Sequence, residues 1–154
     1  GGTLDPHACF LLHRGIKTLA LRMKQHNESA QKIAQFLESH ERVEEVNYPG
    51  LASHPDHDRG LKLFDGFSGM LSFELKGGLE AAERFLNHLT LPILAPSLGG
   101  VETLITRPAT TSHAGMSPAE REAIGITDSL IRLSVGIEDA GDLIDDFDWA
   151  LAES

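Results

Sequence analysis

The stretch SLIRLSVGI, residues 129–137, has the aliphatic and β-branched residues of a strand that packs into a core, with an arginine near its middle. Side chains alternate along a strand, so Ile131, Leu133, Val135 and Ile137 share one face while Leu130, Arg132, Ser134 and Gly136 share the other. The first set belongs to a core. The second puts one long cation beside a hydroxyl and a glycine, which leaves volume around the guanidinium. Two readings fit that face. It is the wet side of an antiparallel sheet, or it lines a cavity where the guanidinium fork grips an anion such as a carboxylate through two parallel hydrogen bonds.

Outward from this strand, the chain alternates between the two periods. EDAGDLIDDFDWAL (138–151) is an amphipathic helix whose acidic first turn suits the helix dipole. Upstream, Ser117-Pro118-Ala119-Glu120 is a capping-box start for a short helix ending at Gly125, and residues 92–108 form an irregular extended segment. GMLSFEL (69–75) is a strand turned by Gly77-Gly78 into the helix LEAAERFLNHL, and RVEEVNY (42–48) is a strand closed by Pro49-Gly50. Pro55 opens a short helix that stops before Asp65-Gly66. At the start, Asp5-Pro6 begins a helix with apolar residues at Leu12, Ile16, Leu19 and Met23, then at Ala30, Ile33, Phe36 and Leu37. Unbroken from residue 6 to 39 it would be about 50 Å long, against about 40 Å for a compact globule of this size. A kink is therefore expected near Gly15 or in the following polar stretch, or else the helix rests on something outside the chain. The fold expected is α/β, a small sheet with helices packed on it, preceded by a long connecting helix.

Composition narrows the function classes. Thirteen Lys plus Arg against twenty-three Asp plus Glu give a net charge of −10, which repels phosphate backbones and argues against nucleic acid as a partner. No apolar run approaches the roughly 20 residues needed to cross a bilayer, and the single Cys9 cannot pair within the chain, so a reducing, cytoplasmic setting without membrane contact is expected. No G-x-S-x-G places a nucleophile, which removes the corresponding hydrolases. His54, Asp56, His57 and Asp58 invite a metal, but Pro at a first helical turn with acids behind it is equally a helix entrance, the reading preferred here. The loop LAPSLGGVE (94–102) sets Ser97 and Leu98 before two glycines; it is a plain turn, or a place where a hydroxyl and bare backbone amides approach a ligand closely.

YPGLASHPDHDRG, GFSGMLSFELKGGLEAAERFLN, LAPSLGGVETLITRPATTSH and GITDSLIRLSVGIED resemble, in this order and spacing, the C-terminal part of the trans-sulfuration family of pyridoxal-phosphate enzymes, the cystathionine γ-synthases, γ-lyases and methionine γ-lyases. The opening LDPHACFLLHRGIKTLALRM extends the resemblance over nearly the whole chain. It implies the small C-terminal domain of a fold type I enzyme over residues 41–154, with residues 1–40 as the connecting helix and the end of a large domain. It also implies that Arg132 binds the α-carboxylate of an amino-acid substrate and that Ser97 and Leu98 lie beside it.

One departure is large. The family's cofactor lysine sits in a Ser/Thr-rich segment, whereas the five lysines here, at 17, 24, 32, 62 and 76, have the setting of solvated cations. By the resemblance, the covalent pyridoxal-phosphate site belongs to an N-terminal part missing from this chain. The piece alone is expected to be inactive, to expose an apolar surface on residues 6–23, and to work within a homo-oligomer, usually a tetramer. Pro96 precedes Ser97 where some family members carry an acid, and the resulting APS is similar to plant-type γ-synthases, which leans towards γ-replacement. The competing expectation is a stand-alone α/β module that binds an amino acid or a partner protein without chemistry.

Overall fold

The computed structural model describes residues 2–154. Two helices open the chain, α1 (Pro6–Ile16) and α2 (Leu19–Ser39), and the expected kink is a full break at Lys17-Thr18, close to Gly15. The Asp5 side chain caps α1 by accepting from the backbone N–H groups of His7 and Ala8. At the break, the Gly15 carbonyl accepts from Arg22 Nη2 at 3.0 Å and from Thr18 Oγ1 at 3.4 Å, so the acceptor released by the interrupted helix is satisfied. None of α1 is buried, and Phe10, Leu11, Leu12 and Ile16 are each more than half exposed. In α2 burial begins at His26 and continues through Ser29, Ala30, Ile33, Ala34 and Leu37, the three-and-four spacing of one helical face.

The rest alternates as β1 (Val43–Asn47), α3 (His57–Leu63), β2 (Met70–Leu75), α4 (Gly78–His88), β3 (Ile93–Leu94), β4 (Leu104–Thr106), a single 3-10 turn (Pro108–Thr110), α5 (Pro118–Glu122), β5 (Ile131–Ser134) and α6 (Ala140–Ala152). The five strands form one sheet in the order β1-β2-β5-β4-β3. All pairs are antiparallel except β3 with β4. β5 is thus central. Its Ile131 and Leu133 join Leu71, Phe73, Leu75 and Ile105 from neighbouring strands and the inner faces of α2, α4 and α6 in the hydrophobic core. Phe73, Phe85 and Phe147 form its aromatic spine, with ring centroids 5.8 and 6.0 Å apart in edge-on and tilted pairs. Burying each such ring stabilises the fold by about 1.5–3 kcal/mol.

Four expectations need correction. The strand foreseen over 129–137 ladders only over Ile131–Ser134; Thr127 and Ser129 make a hydroxyl-bonded turn before it, and Gly136 N donates to a side chain, Thr103 Oγ1, after it. Ile137 is 38% exposed rather than core, three residues beyond the end of the strand at Ser134. The helix foreseen from Pro55 starts at His57, two turns of backbone hydrogen bonding (His54 N to Leu51 O, His57 N to His54 O) intervening. The irregular segment over 92–108 contains both β3 and β4, each too short to show a period.

Candidate functional site

Strand register places Arg132 in a polar row that crosses the sheet on the face away from α2, α4 and α6. Asn47 pairs with Ser72, Ser72 with Arg132, and Arg132 with Thr106. The volume expected beside the guanidinium is filled by the chain itself. After β3 the backbone reverses at Ala95–Ser97 and runs along β5 over residues 97–101 before turning into β4. Arg132 Nη2 donates to the Pro96 carbonyl at 2.6 Å and to the Ser97 carbonyl at 3.0 Å. Ser134 Oγ accepts from Gly99 N at 3.0 Å, and Ile137 N donates to the Val101 carbonyl at 2.8 Å. Farther along, Glu138 takes Thr103 at two points, its backbone N–H at 2.6 Å and its hydroxyl at 2.7 Å.

Two glycines permit this path. Gly99 has φ +76, in the left-handed region that suits glycine. A Cβ on Gly136 would stand 2.3 Å from the Val101 carbonyl oxygen and 2.6 Å from the Glu102 carbonyl carbon, so the loop backbone lies directly against β5's continuation.

The structure therefore brings Arg132 and the Ser97 loop together. The contact runs through backbone carbonyls: the Ser97 hydroxyl is exposed and makes no hydrogen bond among the described residues, and Leu98 is 56% exposed at the loop's tip. Two carbonyl dipoles brace one amine of the guanidinium. Its Nε is buried without a partner, and Nη1 makes no hydrogen bond among the described residues. A planar cation held in place by one amine, with the other free, is preorganised to receive an acid group. A cleft of about 420 Å³ touches Pro96 and Thr106 but is lined by neither Arg132 nor Ser97; its wall includes Arg107, which pairs with Glu83 at 2.6 Å.

Other candidates are placed elsewhere. All five lysines are exposed, none lines that cleft, and Lys76 Nζ donates to the Glu41 carbonyl at 2.8 Å. Nothing in this set fits a covalent pyridoxal-phosphate site. His54 Nε2 lies 2.8 Å from Asn47 Oδ1 and His57 Nδ1 lies 2.8 Å from the Pro49 carbonyl, so both rings knit the turn before α3. No group of three or more His, Cys, Asp or Glu suited to a metal occurs among the described residues. His113 Nδ1 lies 2.8 Å from Ser112 Oγ in an exposed turn. Sequence patterning picked out the Ser134 hydroxyl as Arg132's neighbour but not its bond to Gly99, and it missed the Glu138–Thr103 clasp, whose partners are 35 residues apart.

A profile of the family described as Cys/Met metabolism PLP-dependent enzyme matches residues 1–152. The chain is 50% identical over 151 residues to a cystathionine γ-lyase of Bos taurus, 47% to an L-methionine γ-lyase of Fusobacterium nucleatum subsp. polymorphum and 48% to a cystathionine γ-lyase of Homo sapiens. Each match covers 98% of this chain but only 37–38% of the relative, so the chain spans well under half their length.

Proposed function

The chain belongs to the family of Cys/Met metabolism PLP-dependent enzymes, and from that premise we propose that it supplies the substrate-carboxylate half of an active site acting at Cγ of a homoserine-derived amino acid. Residues 41–154 form the small C-terminal domain and residues 1–40 the connection to a cofactor-holding part, with the inner half of α2 docked on the small domain. The reaction is γ-elimination, as in the names of the relatives. A second reading, γ-replacement by a transferase of methionine biosynthesis, is favoured by Pro96, which has no charge to meet a distal ammonium group.

The observation that carries the proposal is the pairing of Arg132 with the Ser97 loop. The braced guanidinium receives the α-carboxylate through its free amine, and Ser97 donates its hydroxyl to the same group. Fixing the carboxylate fixes rotation about Cα, so binding and orientation come from one contact. Leu98 closes the rim with an apolar wall. The cofactor's lysine and phosphate cradle belong to the other part, because the lysines present here do not fit that role. The exposed apolar residues of α1 suit burial against that part or against a second subunit of a cytoplasmic homotetramer.

The test is Arg132→Ala in the complete, pyridoxal-phosphate-loaded enzyme. Loss of a charge-assisted contact should lower kcat/KM by about a hundredfold while the cofactor's absorbance is unchanged. Unaltered kinetics would reject the assignment.

A further inference from the structure

Arg132 is not the only residue of β5 that reaches the Ser97 loop. Ser134 lies two residues along on the same face, about 7 Å away, and as a residue is 2% exposed. It accepts the N–H of Gly99, which lies two residues beyond Ser97. Strand and loop advance in step: Arg132 holds the carbonyls of Pro96 and Ser97, Ser134 holds the amide of Gly99, and Ile137 holds the carbonyl of Val101.

These contacts are not equivalent. The Arg132 bonds come from a side chain whose other amine receives the ligand, so any shift of the guanidinium on binding moves the loop with it unless a second anchor holds. Glu138 and Thr103 anchor the far end, several residues from Ser97. Between them Gly99, in the left-handed region, and Gly100 give the backbone no side-chain packing of their own, and Leu98 is 56% exposed. Before Ser97 the backbone is held by Ala95 N donating to the Ile105 carbonyl at 3.2 Å, and after it the Ser134 hydroxyl is the first buried, uncharged contact. Without it, residues 97–100 swing about their ends, and Ser97 no longer keeps a set distance from the guanidinium.

We propose that Ser134 is a positioning residue of the carboxylate site: by holding Gly99 N–H it sets the Ser97 loop over Arg132, so that hydroxyl and guanidinium meet one acid group together. This rests on the reading of Arg132 as the carboxylate ligand. Ser134 itself touches neither substrate nor cofactor.

Ser134→Ala tests it with two readouts. In the 154-residue chain, the Gly99 amide should exchange with deuterium about tenfold faster or more, the measure of one lost hydrogen bond. In the complete pyridoxal-phosphate enzyme, KM for the amino acid should rise about tenfold with kcat changed much less, and adding Ser134→Ala to Arg132→Ala should lower kcat/KM by clearly less than it does in the parent, because only the Ser97 contact is left to lose. A general loss of stability would instead subtract in both backgrounds. Unchanged KM alongside fast Gly99 exchange, or an additive loss in the double variant, would overturn the role of Ser134 and leave that of Arg132 standing. Unchanged kinetics in Arg132→Ala alone would remove both.

Discussion

Adding a single methyl group at Gly136 should separate the loop from the central strand. The new Cβ would lie 2.3 Å from the Val101 carbonyl oxygen and 2.6 Å from the Glu102 carbonyl carbon, where ordinary contact begins near 3.4 Å. Glu138 Oε2, also 2.3 Å away, is a side-chain atom that can swing aside, but the other two crowding atoms are backbone, so relief requires the segment over 101–103 to withdraw by roughly 1 Å. That shift breaks the bonds from Ile137 N to the Val101 carbonyl and from Gly136 N to Thr103 Oγ1. Overpacking of this kind costs about 1–3 kcal/mol and each of the two lost hydrogen bonds about 1 kcal/mol, so Gly136→Ala should destabilise the chain by about 3–5 kcal/mol. At this chain length the melting temperature should fall by about 6–20 °C, read by circular dichroism with urea denaturation as the check on ΔG. Gly15→Ala is the control. No atom lies within 4 Å of its would-be Cβ and it sits in exposed helix, so it should gain up to about 1 kcal/mol. A Gly136→Ala chain within about 0.5 kcal/mol of the parent would refute the close approach of loop and strand.

Two further outcomes follow from other parts of the molecule. Tyr48, the chain's single tyrosine, is buried with its hydroxyl donating to the Ser68 carbonyl, and burial pushes its pKa up to about 12 from 10.0. Because the folded value exceeds the unfolded one, the stability this phenol contributes is complete below pH 10.0 and is lost as pH rises towards about 12. Phenolate absorbance should show a midpoint near the higher value, and Tyr48→Phe should flatten the alkaline fall in stability; a midpoint at the ordinary value would contradict the burial. Cys9, exposed on α1, should react freely with a maleimide in the isolated chain and, on the proposal that α1 is buried in the complete enzyme, at least about tenfold more slowly there. Equal labelling rates would argue that α1's apolar face stays open.

Much of the fold was legible because local chemistry and tertiary context agree. Asp5-Pro6 and the Ser117–Glu120 capping box specify helices that start where these caps stand, and the alternation of Leu71, Phe73 and Leu75 specifies a strand whose burial follows the same alternation. The failures share a cause. β3 and β4 are two and three residues long, and they are strands only because each finds a partner across the sheet, information no window of neighbouring residues carries. Ile137 continues the apolar alternation in sequence but not in space, since the backbone is drawn off the ladder where Gly136 meets the loop. At the site, alternation correctly set Arg132 and Ser134 on one face. That the loop's backbone, rather than the Ser97 hydroxyl, meets the guanidinium depends on how residues 97–101 cross β5, and only coordinates show that path.

The most direct measurement is a crystal structure of the complete pyridoxal-phosphate enzyme with a bound amino acid. Its carboxylate should lie about 3 Å from Arg132 Nη1 and within hydrogen-bond reach of the Ser97 hydroxyl, with the Gly99 amide still on Ser134. A carboxylate seated on other residues, with Arg132 bonded only to the Pro96 and Ser97 carbonyls, would contradict the assignment.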